Sequence, residues 1–173
     1  MREVPPQPGI DPTELAAYFG LIESTSLLKH AVEQQLRDVG GLSYIQFQLL
    51  ATLGDSPTGS RRMTDLADGV VYSRSGMTYQ AQVLEKRGLV TRTPSTDDER
   101  SIDVSLTDDG RAVLAKVFPG HIAILNDMLL APLSRADIES LADILTRTRD
   151  HMRQVPPRSA APRRRKKGAG AEE

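Results

Sequence analysis

Apolar positions recur at helical spacing over most of the chain and change to strict alternation in one short stretch. Asp11-Pro12-Thr13-Glu14 reads as a helix start: Asp11 caps, Pro12 fits the first turn and Glu14 completes a capping box. Leu15, Phe19, Ile22, Ser26 and Lys29 then mark a helix face that is only partly apolar, ending near Gly40-Gly41. Ser43-Tyr44-Ile45-Gln46 is a second capping box, opening a helix through Phe47, Leu49, Leu50 and Leu53 that Gly54-Asp55-Ser56-Pro57 breaks. A short helix from about Thr64 to Gly69 follows, then a longer one from Ser73 to Arg87, stopped by Gly88.

The period then changes. Leu89 to Thr93 and Ile102 to Leu106 are rich in β-branched residues, and the second run alternates strictly. The polar stretch Pro94 to Ser101 between them predicts a hairpin with a long tip. Thr107-Asp108-Asp109-Gly110 caps a long helix with Val113, Leu114, Val117, Ile122, Leu125, Met128 and Leu129 on its face, and Pro119-Gly120 predicts a kink or break. Ser134-Arg135-Ala136-Asp137 opens a last helix carrying Ile138, Leu141, Ile144 and Leu145. The predicted fold class is mainly α with a small β-hairpin wing. Apolar residues make up 39% of the 173, but aromatics only 4%, which suits packed helices better than a large sheet.

A short helix, the tight turn Val70-Val71-Tyr72, a second helix and a two-stranded wing form a winged helix-turn-helix arrangement. On the second helix Met77, Ala81 and Leu84 fall inward, and Arg74, Ser75, Thr78, Tyr79 and Gln82 fall elsewhere, mostly toward solvent. Hydroxyls, an amide and a guanidinium on one exposed face are what phosphate and base-edge readout requires, and a helix N-terminus attracts a phosphate. Net charge bears on this. The sum is −1, yet residues 154–173 hold six basic residues against two acidic ones, a net +4, leaving −5 for residues 1–153. The proposed contact face carries no carboxylate before Glu85, so the acidic character lies off it. At the wing tip Asp98 either braces Arg100 so that the guanidinium points into a minor groove, or forms with it an exposed ion pair worth little. Arg61 and Arg62, before the short helix, are either solvated or phosphate contacts. The basic run Arg163 to Lys167 is either a solvated tail or a source of salt-dependent, non-specific attraction to DNA.

Ser73-Arg74-Ser75-Gly76-Met77-Thr78, Leu84-Glu85-Lys86-Arg87-Gly88-Leu89-Val90, Asp98-Glu99-Arg100 and Val104-Ser105-Leu106-Thr107-Asp108-Asp109-Gly110 closely resemble the MarR family of bacterial transcriptional regulators. The resemblance covers residues 42–110 by motif and about 12–152 by helix order. It implies a homodimer with an intertwined helical dimerisation region, binding a pseudo-palindromic operator in double-stranded DNA, and a repressor released by a small aromatic or phenolic effector. The implied organisation is a disordered N-terminus (1–10), a dimerisation helix (11–41), a winged helix-turn-helix domain (42–110), C-terminal dimerisation helices (111–153) and a disordered basic tail (154–173). Carried over, Ser73, Ser75 and Thr78 match the family's recognition-helix contacts and Arg100 its wing arginine. Arg74, Tyr79, Gln82 and Arg62 complete the expected DNA-binding set. Tyr18, His30, Tyr44 and Phe47 lie on helices that flank the family's effector pocket, though each singly fits core packing as well. The chain departs from the family at Tyr79, commonly basic, and at Gln80, commonly apolar, which leaves the operator sequence open.

No cysteine is present, which removes disulfides, thiolate metal sites and thiol chemistry. His30, His121 and His151 lack the spacing of a metal site, and no catalytic constellation or cofactor motif appears, so the expectation is a non-enzyme without cofactors. With neither a signal peptide nor 18 uninterrupted apolar residues, the expected location is the cytoplasm, off the membrane. The competing reading is a winged-helix protein-interaction module without DNA binding, which the acidic body and Tyr79 favour.

Overall fold

A computed structural model describes residues 9–69, 73–95 and 101–154. The elements in order are α1 (Pro12–Gly40), α2 (Tyr44–Gly54), β1 (Ser60–Arg62), α3 (Met63–Gly69), α4 (Arg74–Lys86), β2 (Val90–Pro94), β3 (Ile102–Leu106), α5 (Asp108–Ile124), a π-helical turn (Leu125–Leu130) and α6 (Arg135–Gln154). The chain divides into two compact units, residues 1–132 and 133–173.

Local hydrogen bonds explain most boundaries. Asp11 accepts from the Thr13 and Glu14 amides while Glu14 accepts from the Asp11 amide, and Ser43 and Gln46 repeat the arrangement at α2. At the other end of α1, Gly41 takes φ 60°, a left-handed cap that glycine adopts without steric cost. The second unit is described through α6, where Ser134 Oγ accepts from the Asp137 amide and Asp137 accepts from the Ser134 amide. None of the residues of α6 is buried.

The core of the first unit lies inside the winged-helix domain. Leu49, Leu50 and Leu53 of α2, Leu66 of α3, Met77, Ala81 and Leu84 of α4 and Val104 of β3 are all fully excluded from solvent. Val32 and Leu36 of α1 and Val117 of α5 join them, so both long helices are anchored by a limited stretch. The N-terminal half of α1 is different: Tyr18 is 57% exposed, Phe19 60% and Ile22 51%.

The V-x-L-T-x-x-G motif welds α5 to the domain. Thr107 Oγ1 accepts from the Gly110 amide at 3.0 Å and donates to the Gly88 carbonyl at 2.7 Å. Gly110 sits so close to the Leu89 carbonyl that a β-carbon there would collide with it.

Two expectations need correction. The sheet has three strands in the order β1-β3-β2, not two, because Ser60–Arg62 pairs antiparallel with β3, Arg62 opposite Asp103. Nor is α5 broken at Pro119-Gly120: it continues to Ile124, and the irregularity comes later, as the π-helical turn. The run Asp108–Leu130 also contains an 18-residue window of mean hydropathy 1.4, long and apolar enough to cross a membrane by length and composition, although it lacks 18 uninterrupted apolar residues. Only 6% of that window is buried within the single chain.

Candidate nucleic-acid interface

Helix α4 owes its position to its inner face. Met77, Ala81 and Leu84 are all 0% exposed, as the spacing predicts. The opposite face carries Ser75 and Gln82, both exposed, and Tyr79 at 61% exposure. Thr78 is half-buried and engaged within the chain. Ser73 is the N-cap: its hydroxyl oxygen accepts from the Gly76 amide at 3.2 Å, which leaves the hydroxyl hydrogen to donate elsewhere. Arg74 begins the helix. No acidic residue lies in the first turn, so the positive end of the helix dipole is not neutralised.

The nearest carboxylate of α4, Glu85, is itself occupied. Arg92 Nε of β2 donates to Glu85 Oε2 at 2.9 Å with both side chains partly buried, which joins the helix to the wing and cancels the acid's charge. The base of the wing is closed by the Ser95 amide donating to the Ser101 carbonyl at 2.9 Å. Arg100, Asp98 and the turn Val70-Val71-Tyr72 lie outside the described residues. Arg62 is placed in β1, half-buried and engaged within the chain rather than standing free before α3.

Gln80 has a structural account. It is half-buried and accepts from Gln46 Nε2 at 3.0 Å, while Gln46 Oε1 accepts from the Ser43 amide. A polar pair joins α2 and α4 where one apolar side chain would otherwise pack. Sequence reasoning missed this and also missed Arg87, which donates to the Gly41 and Gly40 carbonyls at 2.8 and 3.0 Å.

The MarR family profile matches residues 40–101, the segment that holds this helix, the first strand of the wing and the capped corner before α2. The chain superimposes on Sco3205, a MarR family transcriptional regulator from Streptomyces coelicolor solved in complex with DNA, with a TM-score of 0.80. Identity there is 28%, over 83% of this chain and 94% of that one. Over residues 40–101 the chain matches the MarR family, and its fold is shared with MarR family transcriptional regulators. AbsC, a second MarR family regulator from Streptomyces coelicolor, matches with a TM-score of 0.81 and 28% identity, over 86% of this chain and 99% of that one. Among curated proteins, the HTH-type transcriptional repressor YetL of Bacillus subtilis (strain 168) is 28% identical over 120 residues, 69% of this chain and 71% of YetL.

A cavity of about 210 Å³ lies between α1, the start of α2 and the end of α5, lined by Thr25, Leu28, Lys29, Val32, Tyr44, His121 and Leu125. Of the four predicted effector-pocket residues, Tyr44 lines it, and Phe47 packs on His121 with ring centroids 4.7 Å apart. Tyr18 and His30 do not take part. His30 is exposed, and Tyr18 lies toward the start of α1, edge-on to Phe19 at 5.2 Å. His121, which the sequence reading set aside as isolated, lines the same cavity as Lys29 and Tyr44. Burial holds its pKa below the ordinary imidazole value, and its Nδ1 is buried without a hydrogen-bond partner. Lys29 Nζ stands at the rim, 5.9 Å from the Tyr44 ring centroid and 3.9 Å from Glu33 Oε1. Among the described residues no group of three His, Asp or Glu is placed to hold a metal ion.

Proposed function

We propose that the chain is a cytoplasmic, homodimeric repressor that binds a pseudo-palindromic operator in duplex DNA and is released by a small aromatic effector. The observation that carries this reading is α4 itself. Its inner face is wholly buried, its outer face offers hydroxyl and amide groups without a carboxylate, and the one acid near its end is paired to the wing. Ser73, Arg74, Ser75, Thr78, Tyr79 and Gln82 are the proposed recognition-helix contacts, with Arg100 at the wing and Arg62 as a flanking cation. Two such helices related by a two-fold axis read half-sites about one helical turn apart, roughly 10 base pairs.

Dimerisation is supported by apolar surface that the single chain leaves uncovered: Phe19 and Ile22 on α1, and Ile144 at 50% and Leu145 at 40% exposure on α6. The effector reading rests on the 210 Å³ cavity. A void of roughly 150 Å³ holds benzene, so this one suits a single substituted ring, with Lys29 placed for an anionic substituent. The acidic remainder of the chain favours a second reading, a winged-helix module that binds protein instead of DNA.

A mobility-shift assay on the DNA upstream of the gene tests the proposal. The wild type binds a discrete site, and the combined Arg74→Ala, Thr78→Ala and Arg100→Ala variant loses it. Unchanged binding by that variant removes the site assignment. An intact dimer with no affinity for any duplex at low salt gives the second reading.

A further inference from the structure

A basic residue at the end of a recognition helix is ordinarily read as a phosphate contact, and Leu84-Glu85-Lys86-Arg87-Gly88 invites that reading. The guanidinium is aimed elsewhere. Arg87 Nη1 donates to the Gly41 carbonyl at 2.8 Å and Nη2 to the Gly40 carbonyl at 3.0 Å, at the C-terminal end of α1, where the helix dipole is negative. Arg87 is not required to close that helix. The Gly41 amide already donates to the Arg37 carbonyl and the Leu42 amide to the Leu36 carbonyl, each at 3.0 Å. The added effect of the fork is to fasten α4 to α1. A second fastening lies one helix away, where Gln46 donates to Gln80. The corner from Gly40 to Gln46 is thus held to α4 at two separate places, with Leu42 fully buried beneath it.

We infer that Arg87 is a positioning residue that sets the separation and angle at which the two recognition helices of a dimer meet the DNA. This rests on the DNA-binding dimer proposed above. A partner chain covering the apolar face of α1 fixes the direction of that helix, and Arg87 passes the direction on to α4. Operator spacing is the matching variable, since one extra base pair moves a half-site by about 3.4 Å and rotates it by about 35°.

The test uses the full-length protein and duplexes carrying its upstream site with the centre unaltered, lengthened or shortened by one base pair. Wild type discriminates among the three. Arg87→Ala is expected to lose on the order of tenfold of that discrimination, the scale of a charge-assisted hydrogen-bonded pair, while Arg87→Lys, which keeps one donor, loses less. Because the readout is a ratio of affinities within one preparation, a reduced folded fraction does not imitate it. The salt dependence on the unaltered duplex is expected to stay at the wild-type slope. Equal weakening on all three duplexes overturns the inference, as does a slope reduced by about one with spacing preference intact, the signature of a lost phosphate contact. A wild type that binds no duplex overturns the DNA-binding reading and this one together. Wild-type binding with an unaltered Arg87→Ala spacing profile overturns this one alone.

Discussion

Replacing Thr107 by Ala removes one hydroxyl that serves two structures at once. Its oxygen caps α5 by accepting from the Gly110 amide at 3.0 Å, and its hydrogen is donated to the Gly88 carbonyl at 2.7 Å, just past α4. Loss of an N-cap costs about 1 kcal/mol. Loss of the Gly88 bond adds about 1 kcal/mol at most, and less to the extent that water reaches that exposed carbonyl. The expected destabilisation of Thr107→Ala is therefore about 1.5–2 kcal/mol. Thr107→Ser keeps both bonds and loses only a methyl group from a half-buried site, so it is expected to cost about 0.5 kcal/mol or less. Urea unfolding followed by circular dichroism at one fixed protein concentration measures both, with the transition slope unchanged. Thr107→Ala within a few tenths of a kcal/mol of wild type refutes the reasoning. So does Thr107→Ser falling as far as Ala, which would place the effect in the methyl group.

The remaining predictions concern charge. His121 has a folded-state pKa below its unfolded value, so it supports folding fully above the ordinary imidazole pKa of about 6.5 and loses that support as pH falls through the lower folded value. His121→Gln should flatten stability against pH over that window, as read by thermal melts between roughly pH 4.5 and 7.5, and an unflattened curve counts against burial as the cause. For Glu85 and Arg92, a double-mutant cycle to Gln and Ala should return a coupling of roughly 0.5–1 kcal/mol that shrinks with added salt, because the pair is only partly buried. Arg92→Ala alone should also weaken DNA binding by uncovering the Glu85 carboxylate beside the recognition face, and Glu85→Gln on that background should restore it.

What was legible in the sequence was short-range. Asp11 with Glu14, Ser43 with Gln46 and Ser134 with Asp137 make their hydrogen bonds within three residues, so residue type and spacing suffice to place the helix starts. The inner face of α4 followed from periodicity, because Met77, Ala81 and Leu84 meet one core. Strand β1 was not legible, since Ser60-Arg61-Arg62 has no apolar alternation and becomes a strand only by pairing with β3, more than forty residues on. The break that Pro119 offered as one alternative is absent for a related reason. A proline breaks an isolated helix, but the packing of α5 against α1 holds it through that point. Arg87 and His121 were overlooked as site residues because their partners are remote: the Gly40 and Gly41 carbonyls in one case, the Phe47 ring in the other. The motif that carried the resemblance placed the helix itself and left unstated what holds it.

The division of α4 into a buried face and a solvent face bears on how such a regulator changes over generations. Met77, Ala81 and Leu84 determine where the helix sits, and substitutions there cost stability. Ser75, Tyr79 and Gln82 face outward, where a typical exchange shifts stability by about 0.5 kcal/mol or less. On the proposed reading, the letters that read an operator are written on a support that does not depend on them. A duplicated gene can drift toward a new binding sequence at those three positions while each intermediate still folds, so specificity is free to diverge without passing through an unfolded ancestor.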